Sequence, residues 1–233
     1  MSIYVLSDKA ERQSTCELGP LGSDKCCDFD HVKDRIGFAL INPNSQLLER
    51  IAWISFLDLA VTFYVLPEQD KDSDHIQFIN DWDLQAWGIS IDWLYGLAIT
   101  NMPRMLPVTQ VTMAELGRSL GDVGNGKEVS PFCILGNASG IYGAASMLYP
   151  NILRLQAEKY DRDILILPLS VKTIMTIPDC NEIPYEEWNQ LILKMSIHVP
   201  YNDALTRHPY LYNKKSGQIE IVGKEENGGD RIR

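Results

Sequence analysis

Apolar positions fall into short runs separated by polar, Gly- and Pro-bearing breaks. The first run, Ile36-Gly37-Phe38-Ala39-Leu40-Ile41, is closed by Asn42-Pro43-Asn44, a turn signal. Ser45 is placed to cap a short helix reaching residue 51. Residues 57–66 are rich in β-branched and aromatic side chains and stop at Pro67, which predicts a strand. A polar turn follows, and Ile76-Gln77-Phe78-Ile79 reads as the return strand of a hairpin. Ser90 then caps the clearest helix, in which Ile91, Leu94, Tyr95 and Ala98 recur at i, i+3, i+4 and i+7. This helix is expected to stop before Pro103, because a residue preceding proline avoids the helical region.

Residues 121–128 hold three glycines and read as a linker. Phe132-Cys133-Ile134-Leu135 predicts a strand. Pro150 suits the first position of a helix, so a helix is expected over residues 150–160 and residues 143–149 become a return strand. Residues 163–167 form a buried strand ending at Pro168. A second helix over residues 184–195 carries Trp188, Leu191, Ile192 and Met195 on one face. Lys214-Lys215-Ser216-Gly217 joins the strands of a final hairpin, residues 210–212 and 219–222. The pattern predicts an α+β protein in two consecutive subdomains, each a β-hairpin or mixed sheet with helices packed on one face. The expected division is an irregular arm over residues 1–30, a subdomain over 31–117, a linker over 118–130, a second subdomain over 131–222 and a tail over 223–233.

Composition narrows the function classes. The chain has 233 residues, of which 45% are hydrophobic and 22% charged, the balance of an ordinary globular protein. Twenty-one Lys and Arg against 31 Asp and Glu give a net charge of −10, which disfavours direct binding to nucleic acid or an anionic membrane. The most apolar stretch, residues 56–66, is broken by Asp58 and Thr62 and is far short of the roughly 20 residues a membrane helix needs. The N-terminus lacks the basic start and apolar run of a signal peptide. Cys16, Cys26, Cys27, Cys133 and Cys180 are odd in number and without repeating spacing, so reduced thiols and a cytoplasmic location are expected. Residues 68–83 hold six acids and one lysine, half of the net charge. A solvated hairpin tip accounts for this simply. The sharper expectation is a docking surface for a basic protein, built from Asp70, Asp72, Asp74 and Asp81 with Trp82 and Trp87.

Catalytic motifs fail on inspection. Gly121-Asp122-Val123-Gly124-Asn125-Gly126-Lys127-Glu128 nearly fits a phosphate-binding loop, but Glu128 stands where a magnesium-binding hydroxyl is needed, and a strand is expected after it instead of a helix. Gly136, Gly140 and Gly143 depart from dinucleotide-turn spacing. Asp81 and Asp83 could pair as general acid and base, but a solvated turn leaves carboxyls unshifted. His31, His75, His198 and His208 show no metal-ligand spacing, so neither metal nor cofactor is expected.

Two groups of motifs resemble a bacterial family, Domain of Unknown Function 5688. The first joins Asp34-Arg35-Ile36-Gly37-Phe38-Ala39-Leu40-Ile41-Asn42 to Phe56-Leu57-Asp58-Leu59-Ala60-Val61-Thr62-Phe63-Tyr64, Trp87-Gly88-Ile89-Ser90 and Ala98-Ile99-Thr100-Asn101. The second joins Ile134-Leu135-Gly136-Asn137 to Gly143-Ala144-Ala145-Ser146-Met147-Leu148-Tyr149-Pro150 and Ile166-Leu167-Pro168. The layout is faintly similar to a second family, Domain of Unknown Function 1444. The resemblance implies a bacterial, anaerobe-associated cytoplasmic protein and implies no activity. The family carries Pro-Ser-Ser-Ile-His-Glu after the buried strand, where this chain has Pro168-Leu169-Ser170-Val171-Lys172-Thr173. Lys172 and Thr173 therefore replace the family's His and Glu. The leading expectation is a non-enzymatic binding or regulatory module. The alternatives are a small-ligand-binding protein or enzyme with a site at Asn137, Pro168, Ser170 and Lys172, and an acidic mimic that blocks a nucleic-acid-binding protein.

Overall fold

The computed structural model describes residues 28–68, 76–112, 115 and 131–223. The expected linker, the phosphate-loop-like stretch and the acids Asp70, Asp72 and Asp74 lie outside the described residues. Two antiparallel sheets and their helices make an α+β fold.

The first sheet is built on β1 (Ile36–Ile41), β2 (Trp53–Phe56), β3 (Leu59–Val65) and β4 (Gln77–Phe78). β3 is central, with β1 on one side and β2 and β4 pairing along the other. Every residue of β1 and β3 is buried, which suits their unbroken apolar runs. Ser45 caps a short 3-10 helix, Gln46–Glu49, as its position suggested. Three α-helices belong to this half: α1 (Phe29–Val32), α2 (Asp81–Trp87) and α3 (Ile91–Met105). α3 lies against β1. A Cβ at Gly37 would come within 2.7 Å of Met102 Sδ, so glycine permits this close approach. Ser90 caps α3 by accepting from the Trp93 amide at 3.2 Å. The helix does not stop before Pro103; it runs through it to Met105. Met102 and Leu94 are buried in the core, and anchoring them outweighs the proline penalty in an exposed last turn.

The second sheet has the order β10-β9-β7-β8-β6-β5. Its strands are β5 (Val108–Thr112), β6 (Cys133–Asn137), β7 (Ile164–Pro168), β8 (Ile174–Pro178), β9 (Tyr210–Tyr212) and β10 (Ile219–Ile221). Two helices follow the expected spans, α4 (Ile152–Tyr160) and α5 (Tyr185–Met195), and the final hairpin forms between β9 and β10. Alternation along β7 and β8 divides the faces. Leu165, Leu167, Met175 and Ile177 meet Trp188 and Ile192 of α5. Ile164, Ile166 and Ile174 face the other way, toward Leu153 and Ala157 of α4.

Residues 143–149 are not a return strand. Gly143–Leu148 is a 3-10 helix, and β6 pairs with β5 and β8 instead. The reason is packing. A Cβ at Gly143 would overlap the Lys172 carbonyl oxygen and come within 2.9 Å of the Asn137 nitrogen, while Ala144 and Ala145 are fully buried. Small residues let this turn lie flat on β6 and β1, and Tyr149 meets Phe38 edge-on at 6.3 Å. One apolar core thus runs from Phe38 and Phe63 through Met147 and Tyr149 to Ile164 and Tyr210.

Candidate functional site

The expected surface in the first half forms around α2. Asn80 caps this helix by accepting from the amides of Trp82 at 2.9 Å and Asp83 at 3.1 Å. The Asp83 carboxylate accepts in return from the Asn80 amide at 2.9 Å. This reciprocal capping box makes Asp83, 4% exposed, a part of the scaffold, and no acid-base pair with Asp81 arises. Asp81 is exposed in the first turn, where a negative charge suits the helix dipole. Trp82 projects into solvent and is 73% exposed.

Beside α2 the aromatic rings of three elements meet. Phe29 packs on Trp87 at 5.5 Å and edge-on to Trp93 at 5.4 Å. Trp93 remains half exposed. The flanking residues are acidic. Asp28 caps α1, Asp30 pairs with Lys33 at 2.6 Å, and Asp92 precedes Trp93. The hydrogen bond from Lys33 holds the Asp30 carboxyl below its ordinary range, so it stays charged at neutral pH. A partly exposed aromatic cluster with carboxylates on the same helices suits a cation: guanidinium and ammonium groups bind both aromatic faces and carboxylates. The sequence pointed to Trp82 and Trp87. It gave no sign that Phe29 would join Trp87 to Trp93, because that contact spans more than fifty positions.

The second expected site is brought together in space. The Asn137 turn and the β7–β8 turn touch where Gly143 is pressed against the Lys172 carbonyl. Their polar groups are engaged locally, however. The Asn137 amide donates to the Ile141 carbonyl at 2.6 Å and accepts from the Ser139 hydroxyl at 2.9 Å. Ser170 Oγ accepts from the Lys172 amide at 3.1 Å and lies 3.5 Å from Thr173 Oγ1. Lys172 Nζ stands 3.8 Å from Asp203. Pro168 is the last residue of β7, opposite Ile174. This arrangement holds two turns in place, with the exposed Lys172 the group that reaches solvent.

One polar cluster escaped the sequence reading. His208 Nε2 donates to Asp58 Oδ2 at 2.7 Å, and the Tyr210 hydroxyl donates to Asp58 Oδ1 at 2.8 Å. Asp58 sits in the turn between β2 and β3, whereas Tyr210 begins β9, so the cluster ties one sheet to the other. Leu57, just before it, takes φ 54°, a left-handed conformation that costs a leucine about 1–2 kcal/mol. Burial pushes the Tyr210 phenol well above its ordinary range. A separation of about 150 positions leaves no local signal for such a contact.

Among the described residues, no group of His, Cys, Asp and Glu is arranged to hold a metal ion. Nor is any helix among them long and apolar enough to cross a membrane. A family model described as a family of unknown function (DUF5688) matches residues 4–214. The chain belongs to this family. The match does not support the fainter likeness to Domain of Unknown Function 1444. No curated protein and no solved structure matches the chain.

Proposed function

We propose that this member of the DUF5688 family is a non-enzymatic binding module that docks a Lys- and Arg-rich segment of a partner protein on α2, α3 and α1. The observation that carries the reading is the half-exposed Trp93 packed with Trp87 on Phe29, with the exposed Trp82 on the same helix as Trp87 and with Asp28, Asp30, Asp81 and Asp92 on the same three helices or their caps. Large exposed aromatics are the side chains that dominate binding energy at interfaces. The net charge of −10 would steer a basic segment toward the molecule. In this reading the protein works in a reducing compartment such as the bacterial cytoplasm, where Cys133 and Cys180 stay free thiols.

The test is tryptophan fluorescence and calorimetry with a Lys/Arg-rich peptide, at low and high salt. Saturable binding that weakens with salt is expected. Trp82→Ser and Trp93→Ser should each weaken it by about tenfold or more, as anchors of an interface do. Asp81→Lys with Asp92→Lys should do the same, with a melting temperature only modestly lowered because both carboxylates sit in first turns of helices. Charge reversal at Glu186 and Glu187 of α5 controls for general charge and should change little. Binding that is equally sensitive to both charge reversals, or insensitive to both tryptophans, overturns the reading.

A further inference from the structure

A cleft of about 200 Å³ opens between α4 and the edge of the second sheet. Its walls are Gln110 and Thr112 of β5, Cys133 of β6, and Ile152, Leu155, Gln156, Lys159 and Tyr160 of α4. Positions 152, 156, 159 and 160 share one face of the helix by their spacing. That face is apolar at Ile152 and Tyr160, yet at its centre stands a glutamine.

Gln156 is only 9% exposed, and its side-chain amide makes no hydrogen bond to any described residue. The stem of Gln156 is buried, while its amide atoms are not among the fully buried polar atoms without a partner, so the amide keeps access to the cleft. A polar group free to meet a ligand therefore borders the cleft.

A cation stands one turn away. The Lys159 ammonium lies 4.9 Å from the centroid of the Tyr160 ring. Its charge reaches the cleft wall. Burial pushes the Cys133 thiol up and Glu115 adds to this, while Lys159 opposes both. Glu115 is itself bound by the amide and hydroxyl of Thr112, each at 2.8 Å.

We propose that this cleft binds a short aliphatic carboxylate. The Gln156 amide would donate to the carboxylate and Lys159 would pair with its charge, while the chain packs on Ile152, Leu155 and Cys133. At roughly 30 Å³ per water-sized group, the volume admits six or seven heavy atoms, an acid of about four or five carbons. The inference is independent of the peptide-docking surface, which involves none of these residues.

The probe is butyrate, titrated into the full-length chain and followed by the side-chain amide signals in nitrogen-correlated NMR spectra. The Gln156 signal, identified by its loss in Gln156→Leu, should shift and saturate. Gln156→Leu should abolish binding without lowering its melting temperature, which separates lost recognition from lost folding. Lys159→Met, at an exposed position, should weaken binding about tenfold, the ratio of one 1.4 kcal/mol interaction. Butyramide and butylammonium, which lack the anion, should not saturate. No saturable shift with butyrate overturns the proposal. So does butyrate binding that survives in both variants, or tighter binding of butylammonium than of butyrate.

Discussion

The Asn137–Lys172 turn pair and the α2–α3 surface both stand out in the sequence but use their side chains in opposite ways. At the turn pair, Asn137, Ser170 and Lys172 all bond to groups of the same two turns or to Asp203. On the α2–α3 surface, Trp82 and Trp93 are offered to solvent. The identity of a residue does not separate scaffold from surface. The destination of its hydrogen bonds and apolar area does. Asp58 makes the point sharply: it lies in an exposed-looking turn, yet it joins the two sheets through His208 and Tyr210.

Breaking the scaffold side of this comparison should have the largest effect. Asp58→Ala leaves His208 and Tyr210 without their acceptor and should cost about 3 kcal/mol or more, read from urea unfolding. A variant within 1 kcal/mol of the parent would show that the cluster contributes little. Next comes the turn pair. Gly143→Ala drives a methyl into the Lys172 carbonyl and should cost about 2 kcal/mol as overpacking. Gly136→Ala, where the nearest atom is 3.4 Å away, should cost well under half of that by the same measure. Equal effects at the two glycines would mean that the turns are not tightly nested.

High pH tests the same scaffold from another side. Tyr64 and Tyr210 are fully buried, and burial raises both phenols far above their ordinary range. In the unfolded chain they ionise near pH 10, while in the folded protein they stay neutral. The unfolded state therefore binds fewer protons above that pH, and stability falls as pH rises. It should be flat below about pH 10 and then drop by about 1.4 kcal/mol per pH unit for each tyrosine. Tyr64→Phe and Tyr210→Phe should each flatten the alkaline limb.

Local chemistry was legible in the sequence, and long-range pairing was not. The caps at Ser45 and Ser90, the strand at β3, the helix start after Pro150 and the last hairpin all follow from neighbours within a few positions. β8 was hidden because Ile174–Pro178 is short, holds Thr176 and ends in proline, so only its pairing with β6 and β7 defines it. The 3-10 helix at Gly143–Leu148 was misread as a strand because its conformation is set by contact with Lys172 and Asn137, not by its own apolar run. At the candidate surface, Trp82 and Trp87 stood out by type. The Phe29 contact, the capping duty of Asp83 and the place of Gln156 beside the cleft exist only once the chain is folded.

The finest test of the comparison lies within α2, where scaffold and surface residues adjoin. Asp83→Ala removes the carboxylate that accepts from the Asn80 amide, and capping losses of this kind cost about 1 kcal/mol. Asp81→Ala removes only a first-turn charge, worth about 0.3 kcal/mol. Trp82→Ser, at a side chain 73% exposed, should stay within about 0.5 kcal/mol of the parent. Peptide affinity should reverse the order of Asp83→Ala and Trp82→Ser. Trp82→Ser should lose the most and Asp81→Ala less. Asp83→Ala should lose least, provided that the helix remains folded at the temperature of the measurement. If one order held for both stability and affinity, the peptide would be reporting helix integrity, and α2 would be scaffold throughout. Opposite orders would place the boundary between structure and recognition between two neighbouring residues of one turn.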